Sequence, residues 1–343
     1  MIPDEAVLAA AMREAVAESR AALGGVSPNP AVGAVLLAPD GTEIARGHTQ
    51  PPGGAHAEIE ALRRAGDAAR GATAVVTLEP CNHTGRTGPC AQALIEAGVA
   101  RVVYAVGDPN PTAAGGADRL RAAGIEVIAG VGALDARSGP LRGWLFRQRF
   151  GRPLVTAKIA STLDGRIAAP DGTSQWITGP QARARAHRQR AELDAIIVGT
   201  GTVVADDPAL TARLPDGTPH AHQPIRVAMG ERDIPDGARI RDATVGGFRH
   251  VRTHDPVEVL AALDDTTWVL VEGGPGIIGA FLDADLVDEV DSYVAPTILG
   301  AGPSAVERAA TITLADATEL HLADVERLGD DVLIRSVCDR LLP

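Results

Sequence analysis

Apolar residues recur along the chain in two rhythms. Behind Asp4, which can cap a helix, Leu8, Met12, Ala15, Ser19 and Leu23 follow a three-to-four spacing until Gly24–Gly25 stops it. Residues 31–38 and 43–47 are short apolar runs joined by Pro39-Asp40-Gly41, which reads as a hairpin turn. Helices are predicted over 57–69, 91–97 (closed by Gly98) and 119–123, alternating with strands over 74–78, 101–106 and 125–128. Such alternation argues for an α/β sheet sandwich. The pattern breaks over 137–150, where Arg142, Trp144, Arg147 and Arg149 interrupt it, and the first unit is expected to end there.

A second α/β unit opens at Pro153. It reads as a strand over 154–159, a helix over 181–190, a buried strand over 195–198 ending in Gly199, and a strand over 225–228. The polar, turn-rich stretch 214–224, with His220 and His222, reads as a solvated loop. Strand Trp268–Val271 runs into Glu272-Gly273-Gly274-Pro275-Gly276, then a helix to Asp283 and a strand over 290–295. No internal repeat is evident. The expected domains are 1–147 and 148–343.

A length of 343 residues suits two domains of about 150 residues each. A net charge of −12 and only 3% aromatic residues argue against polynucleotide or anionic-membrane binding. Three cysteines, an odd number, suit a reducing compartment rather than a disulfide framework. The opening MIPDEAVL lacks the basic residues of a signal peptide, and no apolar run reaches the roughly 18 residues of a membrane span. A soluble, cytoplasmic protein is expected.

The strongest chemical signal is His56-Ala57-Glu58 followed by Pro80-Cys81 and Cys90. One imidazole and two thiolates make three ligands for a single Zn2+, leaving a fourth tetrahedral position for water, as in catalytic zinc sites. Glu58 would take the water proton and return it to a leaving nitrogen. The alternatives are a structural zinc knuckle, with His83 as the nearest fourth ligand, or three unrelated core residues. Cys338 lies outside any motif and reads as an apolar filler. Nucleic-acid deaminases have two residues between the cysteines; here eight intervene, a loop able to present His83 and Arg86 to an anion. In the second half, residues 274–279 satisfy G-x-G-x-x-G, a weak signal for a phosphate turn. Lys158 is the only lysine among 32 basic residues, which suggests a specific ammonium role.

His-x-Glu with Pro-Cys…Cys is similar to the zinc-dependent cytidine-type deaminases. More closely, PNPAVGAVL (28–36), GHTQ (47–50), HAEIEAL (56–62), TLEPCNHTGRTGPC (77–90) and DPNP (108–111) resemble the deaminase domain of the bifunctional riboflavin-biosynthesis deaminase/reductases. AKIASTLDGRIA (157–168), SQWITG (174–179), GTGTVVADDPALTAR (199–213) and VEGGPGIIGAFL (271–282) resemble the reductase domain of that family. The resemblance implies a cytidine-deaminase-like three-layer sandwich followed by a dihydrofolate-reductase-like domain. It implies deamination of a phosphoribosyl diaminopyrimidinone and then NADPH-dependent reduction of its ribosyl group to ribityl.

By matching motif, zinc would be held by His56, Cys81 and Cys90, with Glu58 as proton shuttle. Asn29, His48, the backbone at Ala57, His83 and Arg86 would hold the deaminase substrate. Ser174, Arg190, Leu210, Arg213 and Glu272 would line the reductase substrate site, with Lys158 near the reacting carbon. Ala160, Trp176, Thr202, Asp206 and the run Gly274, Pro275, Gly276, Ile277, Ile278, Gly279 and Ala280 would line the cofactor site. Gly230-Glu231 stands where relatives carry Asp-Ser, and Glu231 would disfavour a 2′-phosphate. The family also implies a homo-oligomer built on the reductase domain. The competing readings are a deaminase with an inactive reductase-like partner, a nucleic-acid base deaminase, and a zinc-stabilised scaffold.

Overall fold

A computed structural model describes residues 3–83 and 88–342 and divides the chain into two units, Met1–Gly151 and Arg152–Pro343. The first unit contains α1 (Glu5–Ser19), β1 (Gly33–Leu37), β2 (Glu43–His48), α2 (Ala57–Ala65), β3 (Thr73–Leu78) and α3 (Cys90–Ala97). β4 (Arg101–Val106), α4 (Gly116–Ala122), β5 (Glu126–Ala129), α5 (Ala133–Ser138) and α6 (Arg142–Phe150) complete it. Its five-stranded sheet has the order β2-β1-β3-β4-β5. β1 runs antiparallel to β2 and β3, while β3, β4 and β5 are parallel.

The expected hairpin, helix cap and strands are present. The Asp4 side chain accepts from the Val7 amide, and Gly98 ends α3 in a left-handed conformation. Helices cover both faces. A Cβ on Gly33 would lie 2.0 Å from the Ala15 carbonyl oxygen of α1, and one on Gly47 would lie 2.6 Å from that of Ala57 in α2. Gly33 pairs with His48 and Ala34 with Gly47, so alternation puts α1 and α2 on opposite faces.

The expected break over 137–150 is instead helical. Leu141, Trp144 and Leu145 form one stripe against the core, and the arginines that masked it in sequence, Arg142, Arg147 and Arg149, lie off that stripe.

The second unit comprises β6 (Leu154–Thr162), α7 (Pro180–Glu192), β7 (Ala195–Gly199), α8 (Thr200–Asp206), β8 (Ile225–Met229) and β9 (Phe248–Val251). α9 (Pro256–Ala261), β10 (Trp268–Val271), α10 (Pro275–Asp283), β11 (Glu289–Ala295), β12 (His321–Leu328) and β13 (Asp331–Val337) follow. The eight-stranded sheet runs β12-β13-β11-β6-β10-β7-β8-β9. Its strands from β11 to β9 are parallel, and β13 and β12 are antiparallel additions. On one face Val155, Ala157, Val269, Val271, Phe281 and Val290 form the main core. On the other, Ala182 and Ala186 of α7 pack over Ala160, Tyr293 and Leu333. A parallel sheet covered on both faces binds ligands at the carboxyl ends of its strands.

A Cβ on Gly116 would fall 1.7 Å from the carbonyl oxygen of Pro80, the residue before Cys81. Gly116→Ala is therefore expected to cost about 1–3 kcal/mol or more through overpacking and to lower bound zinc. Urea denaturation and metal analysis of the purified variant test this; full zinc content at wild-type stability would contradict it.

Candidate active sites

In the first unit His56 is the N-cap of α2, with extended backbone, and Glu58 lies in the first turn of that helix. Cys81 follows β3, and Cys90 opens α3, whose dipole favours a thiolate at that end. The Cys90 backbone N–H donates to Cys81 Sγ at 3.4 Å. His56 Nδ1 lies 3.6 Å from Cys81 Sγ and 3.3 Å from Cys90 Sγ, and the three ligand atoms lie within 4.8 Å of one another. Nitrogen and sulfur on a tetrahedral zinc stand about 3.5 Å apart, so the donor set fits that ion. Among the described residues the cluster has three members, which leaves the open position of a catalytic site and disfavours a closed structural one.

The electrostatics fit a cation as well. Cys81 is drawn down to about 4, first by the hydrogen bond from Cys90 and, against its own burial, by His56. The same bond, with burial, pushes the Cys90 thiol up. A cation replaces such shared protons. Glu58 is 5% exposed, and burial followed by the Cys81 charge raises its carboxyl to about 7.

These residues face a cavity of 230 Å³ lined by Asn29, Thr49, His56, Glu58, Glu79, Cys81, His83, Asp108, Asn110, Trp144 and Gln148, among others. The structure thus brings Asn29 and His83 to the cluster, and His83 Nδ1 is buried without a partner among the described residues. Ala57 is fully buried at the start of α2. Arg86 lies outside the described residues. His48 is placed elsewhere: its Nδ1 is 2.8 Å from Glu18 Oε1 of α1, on the face opposite α2. Strand alternation explains this, since the next residue, Thr49, is the one that reaches the cavity. Sequence reasoning missed Glu79, Asp108 and Asn110, although each lies in a quoted motif. Glu79 accepts from the amides of Asp108 and Ala117 and so ties the DPNP segment to α4.

In the second unit the candidate groups gather at the carboxyl end of β10, beside the middle of the longer β6. Val271 pairs with Ala157, so Glu272 and Lys158 come next to each other. Arg190 Nε and Nη2 donate to Glu272 at 2.8 and 2.5 Å, and Lys158 Nζ lies 3.8 Å from Glu272 Oε2. Lys158 also stands 5.7 Å over the Tyr293 ring. The Tyr293 hydroxyl donates to Gln189, and Gln189 donates to the buried Asp291. Arg190 donates further to the Thr211 carbonyl, and Arg213 to the Thr211 hydroxyl, with Leu210 buried alongside in sequence. Lys158, Arg190, Arg213 and Glu272 therefore belong to one bonded group. Ser174 and Trp176 lie on the irregular segment before α7; Trp176 is 69% exposed, with Arg183 over its ring.

The glycine run does join a strand to a helix, β10 to α10, and Gly274 is the N-cap. A Cβ on Gly274 would lie 3.7 Å from Thr202 Oγ1, which puts Thr202 beside the turn. The later part of the run faces inward. Ile278 is buried and Ile277 packs against the core, while a Cβ on Gly279 would meet the Glu307 carbonyl oxygen at 1.7 Å. Close packing thus accounts for Gly279 without a cofactor. Asp206 is exposed at the end of α8, and Ala160 packs against Tyr293.

Comparison with known proteins finds relatives of both units. Residues 6–106 match the family model of the cytidine and deoxycytidylate deaminase zinc-binding region, and residues 153–334 that of the RibD C-terminal domain. The riboflavin biosynthesis protein RibD of Mycobacterium tuberculosis is 52% identical over 327 residues, covering 95% of this chain and 96% of that protein. This chain belongs to the RibD family. RibD of Escherichia coli is 39% identical, over 90% of this chain and 94% of that protein. The structure of Acinetobacter baumannii RibD superposes with a TM-score of 0.85 at 37% identity, covering 97% of this chain and 99% of that one. A Thermotoga maritima structure described as a diaminohydroxyphosphoribosylaminopyrimidine deaminase/5-amino-6-(5-phosphoribosylamino)uracil reductase gives 0.88 at 33%, with the same coverage. The chain is a bifunctional riboflavin-biosynthesis enzyme, with a zinc-binding deaminase unit and a reductase unit served by a nicotinamide cofactor. Matches in both units favour two activities over a deaminase with an idle partner.

Burial alone would raise the Glu272 carboxyl, but the charges of Arg190 and then Lys158 outweigh it and hold it at about 2, below its ordinary 4.5. Its stabilising contribution is complete above pH 4.5 and is lost as pH falls towards 2. Glu272→Gln should cost about 3 kcal/mol at pH 7, because it leaves two cations facing each other. The gap to wild type should then narrow below pH 4.5. Urea midpoints at pH 7 and pH 3 measure this, and a gap that does not change with pH would refute it.

Proposed function

We propose that the first unit deaminates a 2,5-diaminopyrimidin-4-one carrying a phosphoribosylamino group, and that the second reduces the ribosyl group of the product to ribityl with NADPH. The observation that carries the first half is the His56–Cys81–Cys90 triangle with buried Glu58 beside it in one cavity. Zinc, when bound by those three side chains, supplies the positive charge that makes water acidic near neutral pH. Glu58, its carboxyl raised to about 7 by burial, takes the protons of the attacking water in turn and passes one to the ring nitrogen and one to the departing amine, so that ammonia leaves as the ring carbonyl forms. Asn29 and His83 hold the ring and its sugar-phosphate arm, with Arg86 as an anion contact.

In the second unit a bound nicotinamide cofactor would supply the hydride for C1′, and the protein's task is placement. The turn at Gly274, Pro275 and Gly276, with Thr202, receives its phosphates. Arg190, Arg213 and Glu272 hold the phosphoribosyl substrate, with Ser174 and Leu210 beside them. Lys158, the sole lysine, supplies the proton that accompanies hydride addition. The long edge strand β12, with Leu322 and Val325 exposed, supports association of copies through this unit.

A coupled assay tests both halves. Glu58→Gln is expected to lower ammonia release about 10²- to 10⁴-fold while keeping one zinc per chain and reducing supplied deaminated substrate normally. Ammonia release near the wild-type rate would remove Glu58 from the chemistry. Lys158→Ala should slow NADPH consumption and leave ammonia release intact. Equal loss of both activities would mean that Lys158 serves the fold instead. Parallel runs with NADH decide the cofactor: comparable kcat/KM for the two would overturn NADPH preference.

A further inference from the structure

Helix α6 contributes to the deaminase cavity a residue that lies in none of the family motifs. Its core-facing stripe runs through Leu141, Trp144 and Leu145, at i, i+3 and i+4, and the next position on it, i+7, is Gln148. Leu141 and Trp144 are buried, and Leu145 packs against the same core. The stripe asks for another apolar side chain, and the chain places a primary amide there. At this point the stripe leaves the core and passes over the cavity, which both Trp144 and Gln148 line together with His56 and Glu58. Gln148 is exposed, and no hydrogen bond joins its side chain to any described residue. A polar group on an otherwise apolar stripe, facing a cavity, has its partner in the ligand rather than in the fold.

We propose that Gln148 is a specificity-determining residue of the deaminase, its carboxamide pairing with a substrate edge that offers a carbonyl beside an amino group, while Trp144 walls the cavity behind it. A carboxamide presents one acceptor and two donors in a plane, which matches such an edge and not an apolar or purely anionic one. The inference rests on the deaminase reading of this cavity.

The test is steady-state ammonia release by the full-length zinc enzyme, comparing wild type, Gln148→Ala and Gln148→Met. Methionine keeps the length of the side chain and removes both hydrogen-bonding functions. Both variants are expected to raise KM about 3- to 10-fold, with kcat close to wild type and the reductase KM unchanged. If Gln148→Met keeps the wild-type KM and only Gln148→Ala raises it, the residue acts by filling space and the proposal falls. It falls equally if neither variant moves KM, or if both activities decline together. A wild-type enzyme that releases no ammonia would instead refute the deaminase reading itself.

Discussion

A carboxylate taken out of water must find a cation, a proton or a set of donors, and both sites of this chain are arranged around that necessity. Glu58 and Glu272 are buried side chains of one chemical type with opposite solutions. Burial, followed by the nearby Cys81 charge, raises the Glu58 carboxyl to about 7, where it can carry a proton. Glu272 lies between Arg190 and Lys158, and its carboxyl falls to about 2, where it stays an anion. The first environment makes a group that exchanges protons; the second makes a fixed charge that positions others.

The same constraint organises the rest of the second unit. Asp288, wholly buried, takes two hydrogen bonds from Arg152, one from Arg340 and one from the Val155 amide. Asp291, also wholly buried, is met by Gln189 and Arg335. Through Gln189 it fixes the Tyr293 hydroxyl, and Lys158 stands over the ring of that tyrosine. Asp291, Gln189 and Tyr293 thus form a connected polar support beside Lys158, with α7 supplying both Gln189 for the support and Arg190 for the candidate site.

Much of this was legible in the sequence, because the zinc ligands, Glu58 and the reductase motifs are local strings whose chemistry does not depend on distant packing. The central strands were legible for the same reason, since buried parallel strands are short apolar runs. What stayed hidden depends on facing. His48 sits one position from Thr49, and only the pairing with β1 decides which of the two reaches the cavity. Helix α6 was masked by arginines on its other positions. β12 is an exposed edge strand and shows no apolar run, so it had no signal to read. Gly279 satisfied a nucleotide-binding pattern, but its close neighbour is the backbone of Glu307, some thirty residues away in sequence.

The solitary lysine has a further consequence. Lys158 carries the only ε-amino group in the sequence, and its side chain, 18% exposed, stands beside Glu272 among the candidate groups of the second unit. An amine-selective acylating reagent would therefore find a single side-chain address in this sequence. Covalent labelling at Lys158, with its protection by bound ligand, would report occupancy of a single site without any engineered tag.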